Sequence, residues 1–270
     1  MSLSFQQQGS GAPLLLIHGT GGSWETWAPI IDLLIADREV FAIDLPGHGA
    51  SPPLPQSTPP SIPALADVVA QWITEQKLER PHVAGNSLGG AIALELAKKN
   101  RVRSATVLSP VGFSSGWEFT YSTLSLRMTH IGARLINLVA PLILGNPVGR
   151  TIALSQSTGR PWRMQGDAAV RASRAMLHAP GFFDTIKAAK GYQFIGPAPL
   201  DIPLTIAWGK RDRILLPRQA KHAKQMLPQA RFLSLPGCGH VPMADDPQLI
   251  ATVLLENSGT PVTQRLTAVS

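Results

Sequence analysis

The stretch Gly85-Asn86-Ser87-Leu88-Gly89-Gly90 lies between an apolar run of strand length, Pro81 to Gly85, and a segment with helical periodicity, Ala91 to Lys99. It has the form G-x-S-x-G, and a strand before it with a helix after it is the setting that this motif requires. The turn strains the backbone at Ser87, so the residues two positions away must be small, as Gly85 and Gly89 are. The stretch predicts a strand-to-helix turn that presents a hydroxyl at a helix N-terminus, where developing negative charge is favoured.

Segments of two kinds alternate on both sides of this turn. Short apolar runs are typical of strands buried on both faces, and longer segments with apolar residues three and four apart are typical of helices. Their alternation predicts an α/β fold with a mostly parallel central sheet flanked by helices. The further predicted strands are Pro13 to Ile17, Glu39 to Leu45, Val102 to Leu108, Leu204 to Trp208 and Ala230 to Leu235, and the further predicted helices are Trp24 to Ala36, Ile62 to Lys77, Arg218 to Met226 and Gln248 to Leu255.

The alternation stops after Gly112, where Trp117 to Leu144 and Ala168 to Lys190 have helical patterns and prolines interrupt the sequence between them. Such an interruption predicts a helical insertion within the sheet domain. We therefore expect an α/β core formed by residues 1–112 and 195–256, with a helical lid at 113–194. Residues 257–270 are polar and irregular and predict a frayed C-terminal tail.

Composition places the chain among ordered globular proteins, because 44% of its residues are hydrophobic and only 15% are charged. The N-terminus lacks the basic start and apolar run of a signal peptide, and the most apolar window, Leu135 to Leu144, is ten residues long. The single cysteine, Cys238, agrees with a reducing compartment. We expect a cytoplasmic protein, monomeric or homodimeric, with no membrane span.

The net charge of +7 is concentrated in the middle of the chain. Between Phe113 and Lys190 there are seven Arg and two Lys against three acidic residues, an excess of six positive charges. We interpret these as solvated helix faces rather than as a nucleic-acid site, and the alternative is contact with an anionic substrate or an acidic surface.

Neither a metal nor an organic cofactor is expected. The single Cys and the scattered His residues have no metal-ligand spacing. Gly19-Thr20-Gly21-Gly22 lacks both the G-x-G-x-x-G frame and the Lys-Ser/Thr ending of a phosphate loop. A small-molecule substrate acted on by side chains alone is the remaining expectation.

A base and an acid follow the predicted Ser87 nucleophile in the order that this kind of turn requires. His240 comes directly after the last predicted strand, and Asp212 follows the strand before it. Parallel strands place both loops at the same sheet edge as Ser87, so His240 is predicted to activate Ser87 and Asp212 to orient His240. Asp245 and Asp246 are rival acids, which we expect to cap the last helix instead.

Two backbone N–H groups are needed to hold an oxyanion. The residue after the nucleophile, Leu88, supplies one, and the loop after the first core strand supplies the other. In that loop we predict Thr20, with Gly21 as the alternative, and we assign His18 to shaping the loop.

The chain resembles the α/β-hydrolase superfamily from about Phe5 to Leu255, and in particular its lid-bearing branch of esterases, cofactor-free haloperoxidases and carbon–carbon bond hydrolases. Epoxide hydrolases and haloalkane dehalogenases of this type are similar but carry Asp where this chain has Ser87. The resemblance implies substrate contacts at Trp117, Trp162, Arg163 and Val241. It rests on His18-Gly19, Asp44-Leu45-Pro46-Gly47-His48-Gly49, the turn at Ser87, Gly209 to Asp212, and Gly239-His240.

Three functions agree with these residues. The leading one is hydrolysis of a carboxylic ester of a small or medium apolar substrate through an acyl-enzyme. The second, suggested by Asn86 and Arg163, is carbon–carbon bond hydrolysis of a vinylogous diketone, although ring-cleavage hydrolases typically have Trp where this chain has Val241. The third is a receptor that retains Ser87, Asp212 and His240 and binds a ligand without converting it.

Overall fold

A computed structural model of the chain describes residues 1–196 and 201–259. Seven strands form one sheet, and the α/β prediction is confirmed. The strands are β1 (Phe5–Gln8), β2 (Ala12–Ile17), β3 (Arg38–Ile43), β4 (His82–Asn86), β5 (Ser104–Leu108), β6 (Leu204–Gly209) and β7 (Arg231–Leu235).

The strand order is β1-β3-β2-β4-β5-β6-β7. Strands β2 to β7 are parallel, and β1 alone pairs antiparallel, with β3. The sequence pattern does not predict β1, because it is an edge strand whose three Gln side chains are exposed. The parallel strands end at one sheet edge, and the loops that follow β2, β4, β6 and β7 meet there.

Helices cover both faces of the sheet. They are α1 (Ala28–Leu34), α2 (Ile62–Glu75), α3 (Leu88–Lys98), α4 (Gly116–Ile136), α5 (Ala140–Gly145), α6 (Pro147–Leu154), α7 (Gly166–Leu177), α8 (Phe182–Ala189), α9 (Gln219–Met226), α10 (Pro242–Asp245) and α11 (Pro247–Asn257).

Two apolar clusters lie on opposite faces of the sheet. Apolar residues of α2, α3 and α9 form one with alternate residues of the strands, and residues of α1 and α11 form the other. In β2, for example, Leu15 and Ile17 belong to the first cluster, while Leu14 and Leu16 belong to the second. This alternation explains why the parallel strands are apolar throughout.

The helices α4 to α8 lie between β5 and β6, in the segment where the sequence predicts a lid. Their own small core contains Ala140, Leu144, Ala169 and Val170. The segment predicted as one helix from Ala168 to Lys190 is two helices, because Pro180-Gly181 interrupts it. The short helices α6 and α10 are not predicted, since four to eight residues carry too little periodicity.

Two glycines, Gly47 and Gly181, form one close contact between the insertion and the core. The Gly181 N–H donates to the Gly47 carbonyl over 2.9 Å. A Cβ on Gly47, whose φ is +71°, would lie 2.7 Å from the Gly181 nitrogen. Only residues without side chains allow this contact, which holds the start of α8 against the loop after β3.

Two structural features concern the predicted C-terminal tail and the expectation of no membrane span. Helix α11 extends through Asn257, so the first residue of the predicted tail is helical, and 260–270 lie outside the described residues. The helical stretch Gly116–Gly145 is long and apolar enough to cross a membrane by length and composition. It is mostly unburied in this fold.

The central strand β2 makes the core sensitive to loss of volume. We expect Leu16→Ala to lower the free energy of unfolding by about 2–5 kcal/mol, because Leu16 is fully buried between the sheet and α1. Urea denaturation measures this change. The matched control Leu142→Ala removes an exposed leucine and should change stability by less than about 0.5 kcal/mol. Equal effects of the two substitutions would contradict this packing.

Candidate active site

Ser87 forms a strained turn between β4 and α3. Its φ of 57° and ψ of −116° are rare for a residue with a side chain. A Cβ on Gly85 would lie 2.1 Å from the Gly89 carbonyl oxygen, and a Cβ on Gly89 would lie 2.2 Å from the Ile17 carbonyl oxygen. The two glycines therefore allow the turn and also its contact with the end of β2.

His240 and Asp212 are paired beside this turn. Nδ1 of His240 donates to Oδ2 of Asp212 over 2.8 Å, and both side chains are buried. The other carboxylate oxygen, Oδ1, accepts the N–H groups of Ile214 and Leu215, each at 2.9 Å. These bonds hold the acid in one orientation, and the pair leaves Nε2 of His240 as the free ring nitrogen that a base needs.

Asn86 connects the serine turn to the histidine loop. Its Nδ2 donates to the His240 carbonyl over 2.9 Å and to the Leu108 carbonyl over 3.1 Å. Both amide protons are therefore used to join three loops at the sheet edge. Asn86 therefore helps to position His240, and this role is not predicted from the sequence.

The loop after β2 lies directly against Ser87. A Cβ on Gly19 would be 3.0 Å from Cβ of Ser87. The Gly21 N–H donates to Nε2 of His48 over 3.1 Å, and the Gly22 N–H donates to the Gly19 carbonyl. The Gly21 N–H is therefore already engaged, and Thr20 stays the predicted oxyanion donor of this loop. Leu88 is the first residue of α3, where N–H groups have no acceptor within the helix.

Two buried histidines hold this loop, and neither contacts the Asp212–His240 pair. His18 Nε2 accepts the Leu45 N–H over 2.9 Å, and its Nδ1 lies 2.7 Å from the Gly19 carbonyl. His48 Nδ1 lies 3.0 Å from the Pro46 carbonyl. Burial lowers the pKa of His18 from 6.5 to about 3, with a further contribution from His48, and burial also lowers the pKa of His48. Both imidazoles are neutral at pH 7.

Asp245 does not cap α11, so that expectation was wrong, whereas Asp246 does cap it through the Leu249 N–H. The Asp245 carboxylate accepts the Gly239 N–H over 2.7 Å. It also accepts the N–H groups of Gly159 and Arg160 in the insertion, over 2.8 and 2.6 Å. Burial raises the pKa of Asp245, and the three N–H donors act in the opposite direction. Asp245 ties the loop of the base to the insertion.

Ser87 and His240 are almost fully buried, with exposures of 8% and 5%. The insertion packs against the nearby loop after β2, because a Cβ on Gly21 would lie 2.9 Å from Cγ of Met176 and 3.1 Å from the Phe182 ring.

The four predicted substrate contacts lie on three separate elements. Half-exposed Trp117 is covered by the Arg218 guanidinium, 4.0 Å from the ring centre. Trp162 and Arg163 are exposed on a single helical turn, Pro161–Arg163. The Val241 N–H donates to the Ser157 carbonyl over 2.9 Å. None of these contacts involves Ser87, and the four assignments stay predictions.

Within residues 1–196 and 201–259, no three His, Cys, Asp or Glu side chains are grouped as a metal site would require. Three residues that position the site are not predicted from the sequence: Asn86, His48 and Asp245. A usable signal existed for His48, because it lies in the Pro46-Gly47-His48-Gly49 turn that follows a predicted strand. For Asp245 the signal was its distance of only five residues from the predicted base.

The buried His18 makes stability depend on pH. The unfolded chain binds a proton at His18 below pH 6.5, while the folded protein does not until about pH 3, so stability falls as the pH falls. Between pH 7 and 5 we expect His18 to account for a loss of about 2 kcal/mol, measured by urea unfolding. His18→Asn should flatten this dependence, although it lowers stability at pH 7. An unchanged slope would show that His18 is protonated in the folded state.

Comparison with known proteins agrees with this architecture. The sequence pattern described as "Alpha/beta hydrolase family" matches residues 14–253. Epoxide hydrolase EphH of Mycobacterium tuberculosis is 28% identical over 205 residues, which cover 70% of this chain and 91% of that protein. Lipase 3 of a Moraxella species is 26% identical over 266 residues, covering 87% and 74%.

A solved structure of a bacterial membrane phospholipase A has a TM-score of 0.70 and 25% identity, covering 95% of this chain and 82% of that one. The names of these three proteins are those of an epoxide hydrolase, a lipase and a phospholipase. The match over nearly the whole sheet domain, together with the strand order, shows that the chain belongs to the α/β-hydrolase family.

Proposed function

We propose that the protein is a serine hydrolase that cleaves carboxylic esters through an acyl-enzyme on Ser87. The observation that carries the proposal is the 2.8 Å bond from His240 to an Asp212 carboxylate whose other oxygen is already held by two N–H groups. An aspartate fixed in this way selects the histidine tautomer that can accept a proton and stabilises the imidazolium that results.

In the first step, the Ser87 oxygen attacks the ester carbonyl and its proton passes to Nε2 of His240. The carbonyl π electrons move to the oxygen, which the N–H groups of Thr20 and Leu88 hold as an oxyanion. When the tetrahedral intermediate collapses, the bond to the alcohol oxygen breaks, and His240 gives its proton to that alcohol.

In the second step, water attacks the acyl-enzyme while His240 takes one of its protons. Collapse of this second intermediate releases the carboxylic acid, and the proton returns from His240 to the Ser87 oxygen. No step needs an oxidant, a reductant or a second substrate beyond water.

Four features favour ester cleavage over carbon–carbon hydrolysis, epoxide hydrolysis and ligand binding without turnover. The side-chain amide of Asn86, one of two residues that suggested carbon–carbon cleavage, is occupied by backbone carbonyls. The other, Arg163, is exposed on the surface. Epoxide hydrolysis in similar proteins uses Asp as the nucleophile, and this chain has Ser87. A receptor would not need an acid as firmly fixed as Asp212.

The covering of the site favours a small or medium apolar acyl group. Phe182 and Met176 pack against Gly21 in the loop after β2, and only 8% of Ser87 is exposed. The apolar walls favour an alkyl chain over a polar one.

The nucleophile is tested with a fluorophosphonate probe, which labels an activated serine. We expect the native protein to be labelled and Ser87→Ala not to be, with kcat for 4-nitrophenyl butyrate reduced about 10⁶-fold. Asp212→Asn should lower kcat by about 10⁴-fold, because the wrong tautomer of His240 then faces Ser87.

Matched controls are available for both substitutions. Ser109→Ala removes a buried hydroxyl at the end of the neighbouring strand β5, and Asp246→Asn changes an acid that only caps α11 and pairs with Arg160. Both controls should keep labelling and turnover. Labelling that persists in Ser87→Ala would disprove the nucleophile assignment.

The substrate class is tested with 4-nitrophenyl esters from acetate to palmitate. We expect kcat/KM to be highest for short and medium acyl chains, because Phe182 and Met176 limit the space beside the oxyanion loop. Tight ligand binding without turnover of any ester would instead favour the receptor, and turnover confined to ring-cleavage products would favour carbon–carbon hydrolysis.

A further inference from the structure

The outer face of the insertion carries a continuous row of exposed apolar side chains. Along α4, the single turn Asn137–Val139 and α5, these residues are spaced alternately by four and three positions, so they lie on one side of the helical stretch. Leu135 is 80% exposed and Leu138 is 96% exposed. We call this row the outer stripe, and it consists of Leu124, Met128, Ile131, Leu135, Leu138 and Leu142.

The opposite side of the same helices is bound to the rest of the molecule. Ser122 Oγ donates to the Ile214 carbonyl, and the Tyr121 hydroxyl donates to the Arg213 carbonyl, both over 2.8 Å. Farther along, Ala140 and Leu144 are buried in the core of the insertion. One side of the stretch Gly116–Gly145 is therefore bound to the protein along its length. Only the outer stripe is left to contact a bilayer, so the stretch would lie along the membrane surface rather than cross it.

Charge identifies what covers the stripe. From position 119 to 166 the sequence contains five Arg and no Asp or Glu. Arg127 and Arg134 are exposed next to the stripe on α4. A second copy docked face to face would bring these positive charges together, whereas an anionic lipid surface would attract them.

A groove adjoins the stripe between α4 and α8. It has a volume of about 610 Å³, and its apolar lining includes Phe119, Leu124 and Phe183. Three cations, Arg127, Lys187 and Lys190, also line it. Leu124 and Arg127 line the groove and also belong to the surface around the outer stripe. An acyl chain in the groove would therefore place its acidic headgroup near the cations beside the stripe.

We propose that the outer stripe is a docking surface for a membrane interface that contains anionic lipids. The apolar side chains enter the boundary between headgroups and acyl chains, and Arg127 and Arg134 contact lipid phosphates. Large exposed apolar patches rimmed by polar residues are typical of such interaction sites. This inference does not depend on the bond that Ser87 cleaves.

The test is sedimentation of the full chain with vesicles made of equal parts phosphatidylcholine and phosphatidylglycerol, and with vesicles of phosphatidylcholine alone. We expect stronger binding to the anionic vesicles, weakened by salt. The double variant Leu135→Asp/Leu138→Asp should bind the anionic vesicles at least about tenfold more weakly. Arg127→Glu/Arg134→Glu should lose the preference for anionic vesicles by a similar factor.

The matched control is Ile195→Asp. Ile195 is 74% exposed, it lies outside α4 and α5, and its carbonyl accepts a hydrogen bond from Lys98 at the C-terminal end of α3. The control should bind vesicles like the native chain, and thermal unfolding checks that every variant is folded. Equal binding of Leu135→Asp/Leu138→Asp and Ile195→Asp would overturn the proposal. The proposal would also be overturned, in favour of a second copy of the chain, if light scattering detects a stable dimer that only Leu135→Asp/Leu138→Asp dissociates.

Discussion

The backbone conformation of Ser87 is the constraint around which the sheet edge is arranged. A positive φ at a residue with a side chain persists only where the surroundings enforce it. Here the N–H of Ser87 donates to the Leu108 carbonyl. The backbone packs so closely at positions 85 and 89 that a side chain at either position would collide with it. The loop after β2 lies against the Ser87 side chain, and Asn86 joins the turn to the loop after β7.

Gly85, Ser87 and Gly89 could be predicted because the turn that they form is local. Their spacing of two residues and the strand and helix that flank them are visible in a short window of sequence. The same holds for the order of Asp212 and His240, since parallel strands bring successive loops to one edge. The sheet was predictable for a related reason, because strands buried on both faces must be apolar throughout.

The contacts that position the base were not predictable, because each joins residues far apart in sequence. Asn86 reaches His240 across 154 positions, and Asp245 reaches Gly159 across 86. A side-chain amide or a carboxylate has many possible partners, and only the folded sheet decides among them. The structure of the insertion was less predictable than that of the core, because α6 is too short to show a helical pattern. The exposure of Leu135 and Leu138 was not predictable either, since the same apolar pattern would suit a buried helix.

Asp245 has a consequence for how the two parts of the molecule move. Its carboxylate is shared between Gly239, next to the base, and Gly159 and Arg160 of the insertion. Displacing the insertion at this point must either break bonds to a buried carboxylate or carry the histidine loop along with it. One buried carboxylate therefore joins the insertion to the His240 loop, so a change in the position of the insertion at Gly159 would also act on the loop that carries His240.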